Sequence, residues 1–165
     1  MAPLRALERD TLRFPQAAVY FNERPELFES SDDSDERQKL LLVGEAKAFD
    51  YRVPILYSTC WNESPLIPLL EGSVERNAEG QIVRISNAAQ IVANFKSARV
   101  AYVLVDFSEL ERFRSPGNYG FNDDEITADL FELLVEADAL TPFTPKELQN
   151  VGDKVKIYQV CSQSR

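Results

Sequence analysis

Histidine is absent from the 165 residues of this chain, and cysteine occurs only twice. Without histidine, the Ser-His-Asp and Cys-His arrangements of nucleophilic catalysis are excluded. Two cysteines cannot complete a tetrahedral nitrogen–sulfur site, which excludes most zinc sites as well. Any acid–base chemistry must therefore use carboxylates, lysine, tyrosine or metal-bound water. A metal ion, if one is used, should be a hard, oxygen-binding ion such as Mg²⁺ or Mn²⁺.

Long apolar runs are also missing from the chain. No stretch approaches the roughly 18 apolar residues of a membrane helix. The N-terminal segment lacks the apolar core of a secretory signal. Cys60 and Cys161 are far apart in the sequence and form no CxxC pair, so we expect reduced thiols. These absences predict a soluble, cytoplasmic protein with no membrane partner.

Positive charge is in the minority, and the formal net charge is −9. This balance disfavours general nucleic-acid binding, because contacts to phosphate depend on lysine and arginine. The acids are concentrated in two segments, residues 23–36 and residues 106–139, and the rest of the chain is net positive. The acidic segments are interpreted either as solvated surface or as a surface for a basic protein partner, since opposite fields speed association.

Hydrophobic periodicity predicts an α+β fold with a mixed central β-sheet flanked by helices, in one domain over residues 1–165. Val100–Phe107 is apolar on both faces, which is typical of a central strand. The other predicted elements are helices over 3–13, 87–97 and 122–140, strands over 17–21, 39–49, 53–60 and 154–161, a hairpin over 73–86, and a short helix from Thr144. The acidic outer face of the 122–140 helix is interpreted as structural.

The segment most suggestive of chemistry is the end of the predicted strand over 39–49, which contains Glu45-Ala-Lys47. Side chains at i and i+2 leave the same face of a strand, so Glu45 and Lys47 are expected to project together. A carboxylate can bind a divalent ion, and a lysine can orient water or stabilise charge on phosphate. The ordinary alternative is a solvent-facing ion pair.

A second carboxylate is expected beside this pair. Residues 24–29 are interpreted as a short strand, followed by an acidic turn and the 39–49 strand. In such a hairpin Glu26 lies near Glu45, and the two acids would hold Mg²⁺ while water fills its other positions. Asp106, at the end of the central strand, is interpreted either as a functional acid or as a helix cap.

This pattern resembles the PD-(D/E)xK nuclease superfamily. Pro25-Glu26 corresponds to its Pro-Asp, and Glu45-Ala-Lys47 to its Glu-x-Lys, although glutamate stands here in place of the aspartate. The resemblance implies a restriction-endonuclease-like core, Glu26 and Glu45 as metal ligands, and Lys47 as the phosphate or water contact. It also implies that Gln90, on the helix before the central strand, supports the site.

Two functions follow from these observations. The first is a metal-dependent nuclease-like domain that hydrolyses phosphodiesters in nucleic acid, or an inactive relative of one. The alternative is a non-catalytic, acidic interaction protein, such as an inhibitor, an immunity factor or a subunit of an assembly, that binds a basic protein partner.

Overall fold

The computed structural model describes residues 16–30, 36–45, 47–59, 62–117, 124–149 and 151–161. The helix predicted over residues 3–13 lies outside these ranges, as do residues 31–35 of the acidic segment 23–36. Five described α-helices are α1 (Gln16–Asn22), α2 (Leu66–Leu70), α3 (Ala88–Ser97), α4 (Phe107–Arg114) and α5 (Ala128–Glu136). The strands are β1 (Lys39–Val43), β2 (Ile55–Leu56), β3 (Val74–Arg76), β4 (Ile82–Ile85), β5 (Val100–Asp106), β6 (Leu140–Pro142) and β7 (Val155–Val160). Short 3₁₀ turns occupy Pro25–Phe28, Ala48–Asp50 and Lys146–Leu148.

The main sheet has five strands in the order β2-β1-β5-β7-β6. β1 is parallel to both β2 and β5, and β7 is antiparallel to β5 and β6. The expected α+β fold with a mixed central sheet is therefore confirmed, and the most apolar strand, β5, is its central strand. β3 and β4 form a separate antiparallel pair, which confirms the predicted hairpin.

Both faces of the sheet are buried, because apolar side chains alternate between two cores. Leu41, Val43, Val103 and Val105 point into a core formed with α2, α3, α5 and the β3–β4 hairpin. Their neighbours Leu40, Leu42, Tyr102 and Leu104 point into a second core under α1. This second core is rich in aromatic rings in edge-on contact. The two layers hold the carboxyl ends of β1 and β5 in fixed positions.

Three local predictions are wrong. Ala17–Phe21 was expected to be a strand and lies within helix α1, where Ala17, Ala18 and Phe21 are buried. The segment expected to form a strand around Glu26 is a 3₁₀ turn with Pro25 at its first position. The strand expected over residues 39–49 ends at Val43, because Gly44 has a positive φ of 74°.

The predicted helix over 122–140 is shorter than expected. α5 begins after Thr127, whose hydroxyl accepts a hydrogen bond from the backbone N–H of Leu130. It ends at Glu136, and Asp138 just beyond it has a positive φ of 56°. Within the described ranges, no helix has the length and apolar character needed to cross a membrane.

Candidate functional site

Glu45 lies just beyond the carboxyl end of β1, where the chain turns at Gly44. One carboxylate oxygen accepts a hydrogen bond from the backbone N–H of Lys47 at 2.8 Å, and the other accepts from the Tyr51 hydroxyl at 3.3 Å. The Tyr51 side chain is buried against the second core. Glu45 is therefore held in place by a partner on each oxygen.

The carboxyl end of the neighbouring parallel strand brings a second acid to this position. β1 and β5 are in register with Val43 opposite Val105, so Glu45 and Asp106 follow at the same edge of the sheet. Gly44 packs so closely that an added Cβ would lie 2.8 Å from the backbone oxygen of Asp106. Ligands of open α/β sheets commonly bind at such an edge, beyond the carboxyl ends of parallel strands.

The surroundings of Glu45 raise the pKa of its carboxyl. Burial raises the pKa of its carboxyl, the Lys47 amide lowers it, and the negative charge of Asp106 raises it again. Burial likewise raises the pKa of the Tyr51 hydroxyl, with a further contribution from Glu45. The phenol therefore stays protonated and continues to donate its hydrogen bond at neutral pH.

Asp106 is the N-cap of α4. One of its carboxylate oxygens accepts hydrogen bonds from the backbone N–H groups of Ser108 and Glu109, and the Ser108 hydroxyl donates to it as well. The sequence left open whether this acid is functional or a helix cap. The structure gives it a capping role and also places it close enough to Glu45 to raise the pKa of that carboxyl.

The four residues predicted as a nuclease site are only partly brought together. Lys47 is exposed, and its positive charge lowers the pKa of the Glu45 carboxyl. Glu26 is exposed in its 3₁₀ turn, where its negative charge helps to raise the pKa of the Tyr20 hydroxyl. Because Pro25–Phe28 is a 3₁₀ turn, the hairpin expected to bring Glu26 beside Glu45 does not form. The prediction of that hairpin was wrong. Gln90 donates its side-chain hydrogen bond to Asn94 of the same helix.

Metal ligation can be assessed from the acids of the described ranges. There, no group of three or more histidine, cysteine, aspartate or glutamate side chains could hold a metal ion. Mg²⁺ can be held by one or two carboxylates plus water. In the described residues, the electrostatic neighbours of Glu45 include Asp106 rather than Glu26. Glu45 and Asp106 are therefore the two carboxylates that the described structure brings to the same edge of the main sheet.

A groove of about 330 Å³ lies between β4 and α5, and no residue of β3 is among those that line it. One wall is formed by Gln81 and by the first two residues of β4, Ile82 and Val83, of which Val83 is 50% exposed. The other wall is the outer face of α5. The residues lining the groove are Gln81, Ile82, Val83, Glu125, Thr127, Asp129, Glu132, Leu133 and Glu136.

The groove carries four carboxylates and no basic side chain among its lining residues. Arg76, on β3, pairs with Glu125 at 2.8 Å and with Glu71 at 3.0 Å. Among the described residues, no arginine or lysine forms an ion pair with the three exposed acids of the helix, Asp129, Glu132 and Glu136. These three acids, here called the α5 acids, are spaced at i, i+3 and i+7 along one face.

Sequence reasoning assigned the α5 acids to a structural surface and missed the groove. The helical spacing and the acidic outer face were visible in the sequence. The wall formed by Gln81, Ile82 and Val83 was not visible, because it depends on the packing of the hairpin against α5, more than 40 residues away in the chain.

Comparisons of this chain with models of protein families, with curated proteins and with solved structures find no match.

Proposed function

We propose that this chain is a non-catalytic interaction protein that binds a basic segment of a protein partner in the groove between β4 and α5. The observation that carries the proposal is the groove itself. It combines an apolar residue that is half exposed, Val83, with a helix face of three carboxylates that lack a cationic partner within the described residues.

The charge pattern of α5 is unfavourable for the chain alone. Asp129 and Glu132 are at i,i+3, and Glu132 and Glu136 are at i,i+4, where like charges destabilise a helix by about 0.2–0.5 kcal/mol per pair. A cationic ligand would relieve both repulsions. The net charge of −9 adds a long-range attraction to a basic partner and increases its association rate.

An NMR titration tests this proposal. The probe is a synthetic peptide of about ten residues that alternates lysine and threonine, here called the Lys-Thr peptide. We expect shifts of the backbone amide signals concentrated at Gln81–Val83 and along α5. We also expect the affinity to fall steeply between low and moderate salt, as electrostatic association does.

Two variants of equal net charge separate the groove from general acidity. Asp129→Asn/Glu132→Gln/Glu136→Gln, the groove variant, removes the α5 acids. Glu29→Gln/Glu63→Gln/Asp153→Asn, the control variant, removes three exposed acids that do not line the groove. We expect weaker binding by about tenfold for the groove variant, from about 0.5 kcal/mol for each exposed ion pair, and little change for the control. Equal effects of the two variants would overturn the proposal.

A second candidate function, metal-dependent phosphodiester hydrolysis or the retained fold of an inactive hydrolase, is supported by the approach of Asp106 to Glu45. In this proposal Glu45 and Asp106 would hold Mg²⁺, and Lys47 would contact the phosphate. The ion, when bound, would lower the pKa of an attacking water. The resemblance to the PD-(D/E)xK superfamily stays a prediction.

This second candidate is tested by Mg²⁺- and Mn²⁺-dependent cleavage of DNA and RNA. Asp106→Asn suits the test, because asparagine caps a helix about as well as aspartate but carries no charge. Cleavage that is lost in Glu45→Gln, Asp106→Asn and Lys47→Ala would support these roles. Cleavage that depends instead on Glu26 would support the metal pair predicted from the sequence. No metal-dependent cleavage, or equal activity in all variants, would reject hydrolysis.

A further inference from the structure

One edge of β4 pairs with no other strand in the described part of the chain, so its outward backbone N–H and C=O groups can bond to a partner backbone. β4 pairs with β3 on one side, and no other described strand joins this two-stranded sheet. Outside the hairpin, no described backbone group bonds to residues 82–85. An unpaired strand edge is a ready site for the addition of another strand.

The groove lies at this free edge. Its lining contains Ile82 and Val83, the first two residues of β4, and no residue of β3. Consecutive residues of a strand alternate between its two faces, so a groove that touches both Ile82 and Val83 borders the edge of β4 at its start. Resting on the proposed function, we infer that the basic partner segment binds as an added β-strand on β4, with lysine or arginine at alternate positions facing the α5 acids.

The spacings of strand and helix support this arrangement. Alternate side chains of an extended segment are about 6.7 Å apart. Along α5 the rise is about 1.5 Å per residue, which places the α5 acids about 4.5 and 6 Å apart along the helix axis. Flexible lysine side chains can absorb this difference. Two or three alternate cations of one strand can therefore reach the α5 acids together.

The partner chemistry follows from the two walls. The β4 wall offers backbone groups and the side chain of Val83, which suit an extended peptide backbone and small apolar groups. The α5 wall offers carboxylates spaced for alternate cations. A segment that alternates basic residues with small or β-branched residues satisfies both walls. Its β-branched residues also favour the strand conformation.

Backbone N-methylation of the Lys-Thr peptide tests strand addition. In a strand, the amides of alternate residues point to opposite edges, so all lysine amides face one way and all threonine amides face the other. We therefore expect the effect of N-methylation on affinity to alternate from one peptide residue to the next. Methylating one of the two sets should weaken binding by about tenfold, from the loss of about two hydrogen bonds, because alternate residues of the four-residue β4 face its outer edge. Methylating the other set should change the affinity by less than about threefold.

The outcomes distinguish strand addition from the groove proposal. If both methylated peptides bind the wild-type chain equally, whether tightly or weakly, strand addition is overturned. If in addition the unmethylated peptide binds the groove variant tenfold more weakly than the control variant, the groove proposal survives without it. If the unmethylated peptide does not distinguish those two variants, the groove proposal itself fails. Circular dichroism of all three proteins checks that each is folded.

Discussion

Replacing Gly44 with alanine should destabilise the chain well beyond the usual cost of losing a glycine. Gly44 ends β1 with a φ of 74°, a left-handed conformation that non-glycine residues adopt at a cost of about 1–2 kcal/mol. It also packs against the start of α4. An added Cβ would lie 2.8 Å from the backbone oxygen of Asp106 and 2.9 Å from Cγ of Leu110. Both distances are shorter than ordinary van der Waals contact.

The structure contains a matched control for the backbone contribution. Gly72 has a φ of 72°, and nothing lies within 4 Å of a Cβ added there. Gly72→Ala should therefore cost about 1–2 kcal/mol, from the left-handed backbone alone. Gly44→Ala should cost that amount plus about 1–3 kcal/mol for overpacking, giving roughly 2–5 kcal/mol in total. The difference between the two variants isolates the crowding at the carboxyl ends of β1 and β5.

Urea denaturation followed by far-ultraviolet circular dichroism measures both unfolding free energies. Equal losses of stability in the two variants would refute the close packing of Gly44 against α4. A Gly44→Ala variant as stable as wild type would also refute the left-handed turn that places Glu45 beside Asp106.

Three further outcomes are expected. Because burial raises the pKa of Glu45 above its ordinary 4.5, the folded state binds a proton there more tightly than the unfolded state does. The stability of wild type relative to Glu45→Gln should therefore increase as the pH falls from neutrality toward 4.5, and an unfolding titration showing no change or a decrease would contradict this setting. Asp106→Ala should lower the unfolding free energy by about 1 kcal/mol through loss of the helix cap, whereas Asp106→Asn should be near neutral. Arg76→Ala should lower the melting temperature, because the guanidinium joins β3 to Glu125 at 2.8 Å, whereas Arg84→Ala, with a 71% exposed side chain, should leave it unchanged.

The regular parts of the fold could be predicted from the sequence because their patterns are local. The run of apolar residues in Val100–Asp106 indicated a strand buried on both faces, and it is the centre of the sheet. The hairpin around Gly80 follows from turn chemistry, since this glycine has a φ of 83°. Asn87 accepts the capping hydrogen bond at the start of α3, and asparagine is among the residues preferred at this position.

The errors occur where tertiary contacts override local preference. Residues 17–21 are apolar and aromatic, which is typical of a strand, yet three of them are almost fully buried on one side of a helix. The segment after Val43 continues the alternating pattern of a strand. Its end is set by Gly44 and by the approach of α4, a helix that sequence reasoning missed. β1 ends at Val43, six residues before the predicted end at residue 49, so Glu45 lies in the turn beyond the strand.

The candidate sites could be predicted only in part, for the same reason. Glu45 and Lys47 were identified from the sequence, and the structure does hold them at a carboxyl edge of the sheet. The choice of Glu26 depended on a hairpin that does not form. The groove depends on the packing of β4 against α5, and no local pattern reveals that contact.

The central claim, that the groove binds a basic segment, is tested most directly by a charge swap. Glu132 lies in the middle of the α5 acids, so Glu132→Lys should weaken binding of the Lys-Thr peptide. Peptides in which a single lysine is replaced by glutamate should bind wild type more weakly. We expect one of these peptides to regain affinity for Glu132→Lys, because the swapped pair restores the attraction. If no such peptide binds Glu132→Lys more tightly than the parent peptide does, the claim that these carboxylates contact the ligand is contradicted.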